Sequence, residues 1–345
     1  DRLRTRFGRR KPFILASIPL CCVLMALTPM AATLPASIRL SALVFLIFLF
    51  TVLFNIAFDP YQAMMPDITP PVQRGSVMGF WTLLGVLGQA GILLIPIEMS
   101  LKFYLVAALM LITTILTCVF VREPELPPLQ EKHNKSIALE LKLTLKGLNT
   151  LRQARKGLAV YGLYGIGSGA IMPFLTLFVK KITNCTDHQA EFAFMILMIS
   201  TAVSVIPLGK IADKLGSMRV LFYGIVAIAI ASGLAIFANS LSAIYYILIL
   251  AGLGNAAQSA SAYPLMTEIV PRDEIGLYTG FQTVALSVLQ PLTVVIVGAL
   301  MNGGNYRSVF IVCAISMVVA IAVLRTVRLD LAREEIKLRM AELTS

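Results

Sequence analysis

One long apolar segment of the sequence carries polar side chains at helical spacing. Asn55, Asp59 and Gln62 stand at positions i, i+4 and i+7, which share one face of an α-helix. A charged aspartate at the centre of a bilayer costs about 2.5–3.5 kcal/mol, so such a residue usually faces a cavity and serves a function. We therefore expect Asp59 to bind a coupling cation, a proton or Na⁺. The alternatives are a gating or structural role, with Asp59 near the cytoplasmic end capping a helix that breaks at Pro60, and an incidental placement without a role.

Neutral amides occur in several other apolar segments. Such groups can hydrogen-bond the hydroxyls of a sugar, and they also join membrane helices to one another. Tyr164 adds an aromatic ring that either stacks on a sugar or lies near the membrane interface. With Asn55 and Gln62, the candidates for a substrate cavity are Gln89, Tyr164, Asn255, Gln258, Gln282 and Gln290.

Residue patterns of known catalytic chemistry are absent from the sequence. The five cysteines and two histidines have no metal-ligand spacing. There is also no Ser, His or Cys cluster with catalytic spacing and no glycine loop that would hold a phosphate. We expect neither an enzyme nor a bound metal or organic cofactor.

The elements that must position these side chains are membrane helices. The sequence is 58% hydrophobic and 14% charged, whereas soluble domains are about 25% charged. Its apolar runs are long enough to cross a bilayer as helices, and they lack the alternation of barrel strands. The predicted spans are residues 12–31, 40–62, 75–96, 101–121, 157–179, 190–209, 219–238, 241–263, 276–300 and 305–325.

The positive charge of the chain is distributed asymmetrically between its loops. Of the 29 Lys and Arg residues, 24 fall in alternate loops and at the two ends. Because basic loops stay on the cytoplasmic side, both ends of the chain should lie inside the cell. The net charge of +11 then sets orientation in a cell membrane and indicates no nucleic-acid partner. A specific site for anionic lipid is the alternative.

Residues 65–90 recur in rewritten form 201 positions later. A same-sense repeat of this size indicates a transporter of two homologous halves with the substrate path between them. We predict an N-terminal half-bundle of four spans (1–121), a cytoplasmic linker with an interfacial helix (122–156), a C-terminal six-helix half-bundle (157–325) and a charged cytoplasmic tail helix (326–345). Matching positions include Met65 and Met266, Asp67 and Glu268, Pro70 and Pro271, Gly75 and Gly276, and Gln89 and Gln290.

A charged loop follows the sixth predicted span. It runs from Gly209 through Asp213 and Gly216 to Arg219, in the pattern G-x-x-x-D-[RK]-x-G-x-x-[RK]. This pattern resembles the signature loop of the major facilitator superfamily, and the start of the chain, residues 1–11, resembles its other copy. The resemblance implies the twelve-helix fold of that family. The ten spans here would correspond to the third through twelfth, so we expect the chain to be a fragment that lacks the first two.

The start of the chain allows a narrower comparison. Its form D-R-x-R-T-R-[FW]-G-R-R, together with Asp59-Pro60-Tyr61 and Arg74-Gly75, resembles the glycoside–pentoside–hexuronide:cation symporters and the sucrose-type symporters. This implies uptake of a small polar solute, a sugar or glycoside, coupled to a proton or Na⁺ by alternating access. An efflux carrier for an amphipathic compound and a non-transporting receptor or scaffold on the same fold remain as alternatives.

The resemblance also implies roles for the charged inner loops. Asp67 should pair with Arg9 or Arg10, and Glu268 with Lys214 or Arg219. Asp1 and Asp213 should approach a helix N-terminus in the other half, near Gly276 and Gly75 respectively. The residues implied in gating are Asp1, Arg2, Gly8, Arg9, Arg10, Asp67, Arg74, Gly75, Gly209, Asp213, Gly216, Arg219 and Glu268.

Overall fold

The computed structural model describes residues 8, 10–121, 151–301 and 304–344. Every regular element within these residues is helical. Their α-helices are α1 (Lys11–Leu27), α2 (Ala36–Ile68), α3 (Arg74–Leu94), α4 (Met99–Phe120), α5 (Arg152–Ile171), α6 (Leu175–Thr183), α7 (Asp187–Leu215), α8 (Ser217–Phe237), α9 (Leu241–Glu268), α10 (Ile275–Met301), α11 (Ser308–Leu324) and α12 (Leu329–Thr344).

The helices match the predicted spans. In the described residues eight are long and apolar enough to cross a membrane, or up to ten if each of two bent pairs counts as one span. The first pair, α5 and α6, is bent by 47°, and the second, α11 and α12, by 68°. The predicted all-α membrane fold is therefore confirmed.

The helix α2 is longer than predicted. The sequence predicts a span over 40–62 and offers Pro60 as a break, but the helix runs from Ala36 to Ile68 with Pro60 and Pro66 inside it. The capping role for Asp59 at such a break is therefore wrong. Membrane helices tolerate an internal proline because neighbouring groups satisfy the freed carbonyl oxygen.

The internal repeat has the same backbone course in both copies. In each, a long helix ends, a 3₁₀ turn follows, and a new helix begins. The turns are Pro71–Gln73 and Arg272–Glu274, and each is closed by a 3.0 Å hydrogen bond, from the Gln73 N–H to the Pro70 carbonyl oxygen and from the Glu274 N–H to the Pro271 carbonyl oxygen. The repeat read from the sequence thus corresponds to a repeated structural unit.

The chain divides into two compact units. The first comprises Asp1–Thr69 and Leu87–Glu131, and the second comprises Pro70–Val86 and Lys132–Ser345. The predicted boundaries of the halves, linker and tail stay a prediction, and residues 122–150 of the predicted linker lie outside the described residues.

In the first unit α1 packs against α2 and α4. Its core is formed by Ile14, Ile18, Cys22, Ala57, Met64 and Ala107. Lipid is as apolar as these side chains, so the helices gain stability mainly from close packing and hydrogen bonds rather than from removing surface from water.

The second unit holds α5 to α12 and the beginning of α3. Within it α9 packs on α7 and α8, and α5 packs on α10 and α11. Small residues ease the close approach along α5, because a Cβ atom at Gly165 would require the Leu286 side chain of α10 to move and one at Gly167 would require that of Met317 of α11 to move. These glycines let the bundle close around the polar residues described below.

The predicted tail helix is present as α12, and it is docked on the start of α5. Glu335 accepts a hydrogen bond of 3.0 Å from the backbone N–H of Gln153, in the first turn of α5. The side-chain oxygen of Gln153 accepts in turn from the backbone N–H of Arg328, also at 3.0 Å. Further along, Arg339 forms an ion pair with Glu274 at 3.0 Å. The tail is therefore joined to the first turn of α5 and to the turn that precedes α10.

Candidate functional site

The carboxylate of Asp213 lies at the N-terminus of α3. Its Oδ1 accepts from the backbone N–H of Gly75 at 2.7 Å, and its Oδ2 accepts from the N–H of Ser76 at 2.9 Å. The Ser76 hydroxyl donates to the same oxygen. Because the first N–H groups of a helix have no partner inside it, a carboxylate there satisfies them and meets the positive end of the helix dipole. The predicted approach of Asp213 to Gly75 is confirmed.

Glycines bring α3 and α7 close enough for this contact. A Cβ atom at Gly75 would lie 2.6 Å from the carbonyl oxygen of Gly209, and one at Gly209 would lie 2.5 Å from that of Gly75. Real Cβ atoms do not approach oxygen so closely, so any side chain at either position must push the helices apart. The predicted signature residues Gly75 and Gly209 therefore allow the close contact between α3 and α7 that positions Asp213.

The backbone conformation explains why glycine occupies position 216 of the signature loop. Gly216 ends α7 with φ of 94°, and Gly8, its counterpart at the start of the chain, has φ of 104°. Residues with a Cβ rarely adopt such angles, whereas glycine does so without strain. The two copies of the predicted loop therefore share a backbone feature as well as a residue pattern.

Arg74 is buried beside this contact. Its side chain is 5% exposed, and its Nη1 donates to the Thr267 hydroxyl of α9 at 2.8 Å. The first residue of α3 is thus tied to α9 while its next two are tied to α7.

The matched acids Asp67 and Glu268 have different partners. Asp67 pairs with Arg10 at 3.2 Å, as predicted. Glu268 instead accepts a hydrogen bond of 3.0 Å from the Ser217 hydroxyl, and the described residues contain no ion pair between it and Lys214 or Arg219. That part of the prediction is wrong, because Ser217 is buried at the start of α8 while the two basic side chains are exposed.

Of the remaining signature residues, the structure describes some and not others. Gly8 and Arg10 are described, and Arg10 is 2% exposed. The predictions for Asp1, Arg2 and Arg9 lie outside the described residues, and with them the approach of Asp1 to Gly276.

A polar cluster lies inside the second unit. The Tyr164 hydroxyl of α5 donates to the Asn255 side-chain oxygen of α9 at 2.7 Å, and the Asn255 amide donates to the Thr201 hydroxyl of α7 at 3.3 Å. Three helices are thus joined by side-chain hydrogen bonds in an otherwise apolar bundle, where each such bond contributes about 0.6 kcal/mol on average.

Two small cavities adjoin this cluster. One, of about 20 Å³, is lined by Tyr164, Gln258 and Gln282 among others. The other, of about 50 Å³, is lined by Tyr164, Ser168, Ser232 and Asn255 and by apolar side chains. Tyr164 borders both, so four of the predicted cavity residues (Tyr164, Asn255, Gln258 and Gln282) are brought together.

Gln290 stands apart from this group. Its amide donates to the Ser168 hydroxyl of α5 at 3.2 Å, and its Cα would lie 3.1 Å from a Cβ atom at Gly169. It therefore joins α10 to α5 at a point of close packing.

The candidates on the other unit lie on α2 and α3. Asn55, Asp59 and Gln62 are half-buried on α2, and Gln89 is exposed on α3. The Asn55 amide donates to the Thr51 carbonyl of its own helix at 2.8 Å. Asp59 lies nine residues before the end of α2, about 14 Å along the helix axis.

Several hydroxyl side chains belong to these contacts, although the sequence did not predict them. Ser76, Thr201, Ser217 and Thr267 complete the contacts of Asp213, Asn255, Glu268 and Arg74. A serine or threonine hydroxyl in a helix often bonds only to the backbone of its own helix. The residue type therefore does not indicate which hydroxyls will contact another helix. Ser76 alone has a recognisable position, directly after the repeated glycine.

The family of the chain follows from comparison with known proteins. The sequence model described as Major Facilitator Superfamily matches residues 1–159 and 157–342. This chain belongs to the Major Facilitator Superfamily. Members of the superfamily are transporters rather than enzymes, and this one is a multi-pass membrane protein.

Solved structures of the superfamily show the same fold. The transporter FucP in the outward conformation has a TM-score of 0.71 at 14% identity, over 93% of this chain and 83% of FucP. A bacterial homologue of the iron transporter ferroportin in the outward-facing state gives 0.72 at 11% identity, over 91% of this chain and 82% of the homologue. At such identities the likeness concerns the fold alone.

Curated superfamily relatives match in sequence. A protein of Lactococcus lactis named multi-drug resistance efflux pump PmrA homolog is 27% identical over 228 residues, which is 65% of this chain and 55% of that protein. An uncharacterized MFS-type transporter of Mycobacterium tuberculosis is 29% identical over 114 residues, 33% of this chain and 16% of that protein. The chain thus spans about half the length of the first relative and less of the second.

Proposed function

We propose that this chain transports a small polar solute, a sugar or glycoside, together with a proton or Na⁺ by alternating access. The observation that carries the proposal is the cluster of Tyr164, Asn255, Gln258 and Gln282 inside an apolar helix bundle. Neutral amides and phenol groups both donate and accept hydrogen bonds, as sugar hydroxyls require. The proposed setting is the cell membrane, with both ends of the chain in the cytoplasm.

Asp59 is the proposed site of cation coupling. It is half-buried within a continuous helix of 33 residues, where an ionised carboxylate is costly unless it serves a pathway. The narrower relationship to the glycoside–pentoside–hexuronide:cation symporters belongs to this proposal. So does the correspondence of the ten spans to the third through twelfth of a twelve-span carrier.

The test is solute uptake by proteoliposomes under an imposed proton or Na⁺ gradient. A panel of radiolabelled hexoses and disaccharides is offered to the protein, to the Asp59→Asn variant and to the control Asp187→Asn. Asp187 is an exposed acid at the start of α7, paired with Lys180, so its loss should leave uptake intact. Gradient-driven uptake that collapses only in Asp59→Asn supports symport, and equal uptake in all three contradicts it.

An efflux carrier is the second candidate, favoured by the similarity to the protein named as a multidrug efflux pump. The same proteoliposomes loaded with ethidium, an amphipathic cation, distinguish the two. Gradient-dependent ethidium movement without movement of any sugar would assign the chain to efflux. If neither probe moves, and Asp59→Asn changes nothing, a receptor or scaffold becomes the preferred function.

A further inference from the structure

Two glutamine side chains of the second unit meet the same cavity. Gln258 of α9 is 6% exposed and Gln282 of α10 is 3% exposed, and both line the 20 Å³ cavity beside Tyr161 and Tyr164. Neither amide forms a hydrogen bond with another described residue, and the polar atoms of both keep some accessible surface. Buried polar side chains in native proteins are nearly always hydrogen-bonded, so each such amide calls for a partner.

The other amides of the same bundle are hydrogen-bonded. Asn255 accepts from Tyr164 and donates to Thr201, and Gln290 donates to Ser168. The contrast separates Gln258 and Gln282 from amides that join helices directly. Their polar groups remain available to something that enters the cavity.

The size of the cavity limits what can enter. A volume of about 20 Å³ accommodates one water-sized group, since a single water needs roughly 10–15 Å³ by this measure. Each amide offers both donors and an acceptor. A hydroxylic group, which donates one hydrogen bond and accepts others, can therefore bind both side chains at once.

We propose that Gln258 and Gln282 together bind one hydroxylic group, which bridges α9 and α10. The group is either a bound water or a hydroxyl of the solute. The second source rests on the proposed function and would make these two residues the contact that selects polyhydroxylated solutes. The first source makes the bridge a permanent part of the bundle.

The sign of a stability change tests the proposal. Methionine has nearly the shape of glutamine but no hydrogen-bonding group at its end. If the two amides share an occupant, Gln258→Met or Gln282→Met leaves the other amide without its bridge. Each single variant should then lower the melting temperature of the purified protein by about 2–4 °C, and the double variant should recover part of the loss.

The opposite sign would overturn it. If the amides hold nothing, each methionine removes an unpaired buried group, so each variant should melt higher and the effects should add. Gln290→Met is the matched control on α10: it removes a direct hydrogen bond to Ser168, so its effect should add to that of either cavity variant.

Shorter amides provide a second test if a methionine variant does not fold. Gln258→Asn and Gln282→Asn keep the donors and the acceptor, and they leave more room for the occupant. The proposal expects these variants to melt closer to the native protein than the methionine variants do. Asparagine variants that melt lower than the methionine variants overturn the proposal.

Glycerol distinguishes the two sources. It stabilises folded proteins generally because it is excluded from their surfaces, so only differences between variants matter. A glycerol-dependent rise that is larger in the native protein and Gln290→Met than in the cavity variants assigns the site to a solute hydroxyl. An equal rise in all assigns it to water. None of these measurements involves transport, so this inference and the proposed function can fail separately.

Discussion

Gly75 and Gly209 meet backbone to backbone, so that a Cβ atom on Gly209 would lie 2.5 Å from the Gly75 carbonyl oxygen. The contact brings the N-terminus of α3 within reach of Asp213 of α7. Neither residue contributes a functional group, yet the arrangement of the charged loop depends on both.

Alanine at either glycine should therefore destabilise the protein, whereas alanine at an open position of α3 should not. Gly85, on the same helix, has nothing within 4 Å of its Cβ position, so Gly85→Ala should stabilise by about 0.5–1 kcal/mol through its helix propensity. Overpacking at Gly75 or Gly209 should cost about 1–3 kcal/mol. Thermal unfolding in detergent measures both, and equal effects at the three positions would contradict the close contact.

Replacement of Asp213 should weaken the start of α3. Asp213→Asn removes the charge that interacts with the helix dipole and should cost about 0.3–2 kcal/mol. The measurement is amide hydrogen exchange at Gly75 and Ser76, which should accelerate. Ser76→Ala removes only the hydroxyl contact and should change exchange less, whereas a larger effect in Ser76→Ala would assign the anchor to the hydroxyl.

Thr267 should stabilise the protein through Arg74. Thr267→Val deprives the buried Nη1 of Arg74 of its hydroxyl partner and should cost about 1–3 kcal/mol. Thr82→Val is the control, because the Thr82 hydroxyl donates to the Met78 carbonyl of its own helix and its loss should cost little. Chemical unfolding compares the two, and equal losses would show that the contact with Arg74 contributes nothing of its own.

The tail helix should detach when its polar contacts are removed. Glu335→Ala uncaps the first turn of α5, and Arg339→Ala leaves Glu274 without its ion pair. Limited digestion with chymotrypsin, which can cut after the leucines and methionine of α12 that none of these variants alters, should then cleave α12 faster in each variant. Glu334→Ala, on the exposed side of the same helix, should leave the cleavage rate unchanged. Equally fast cleavage in this control would show that the two contacts do not hold α12 in place.

Much of this arrangement was predictable because it repeats. The spacing of Gly75 and Gly276, with prolines at 70 and 271, marked the two matching turns, and the charged loop around Asp213 indicated its helix partner. Helical spans also follow directly from the length of the apolar segments.

Other features depend on packing that no spacing encodes. That α2 continues through Pro60 depends on groups around the helix, and the preference of Glu268 for Ser217 depends on which side chain the start of α8 buries. The meeting of Gln258 and Gln282 at one cavity depends on the rotation of two helices, whereas the sequence shows only that both lie in apolar segments.

The matching turns at Pro70 and Pro271 also bear on the history of the chain. Both are closed by the same hydrogen bond, from the residue three positions after the proline, although the surrounding sequences have diverged. A feature shared by two diverged copies is most simply inherited from their common ancestor. The turn is therefore a feature that the duplicated segment would already have carried, and each copy has kept it through the changes in its other residues.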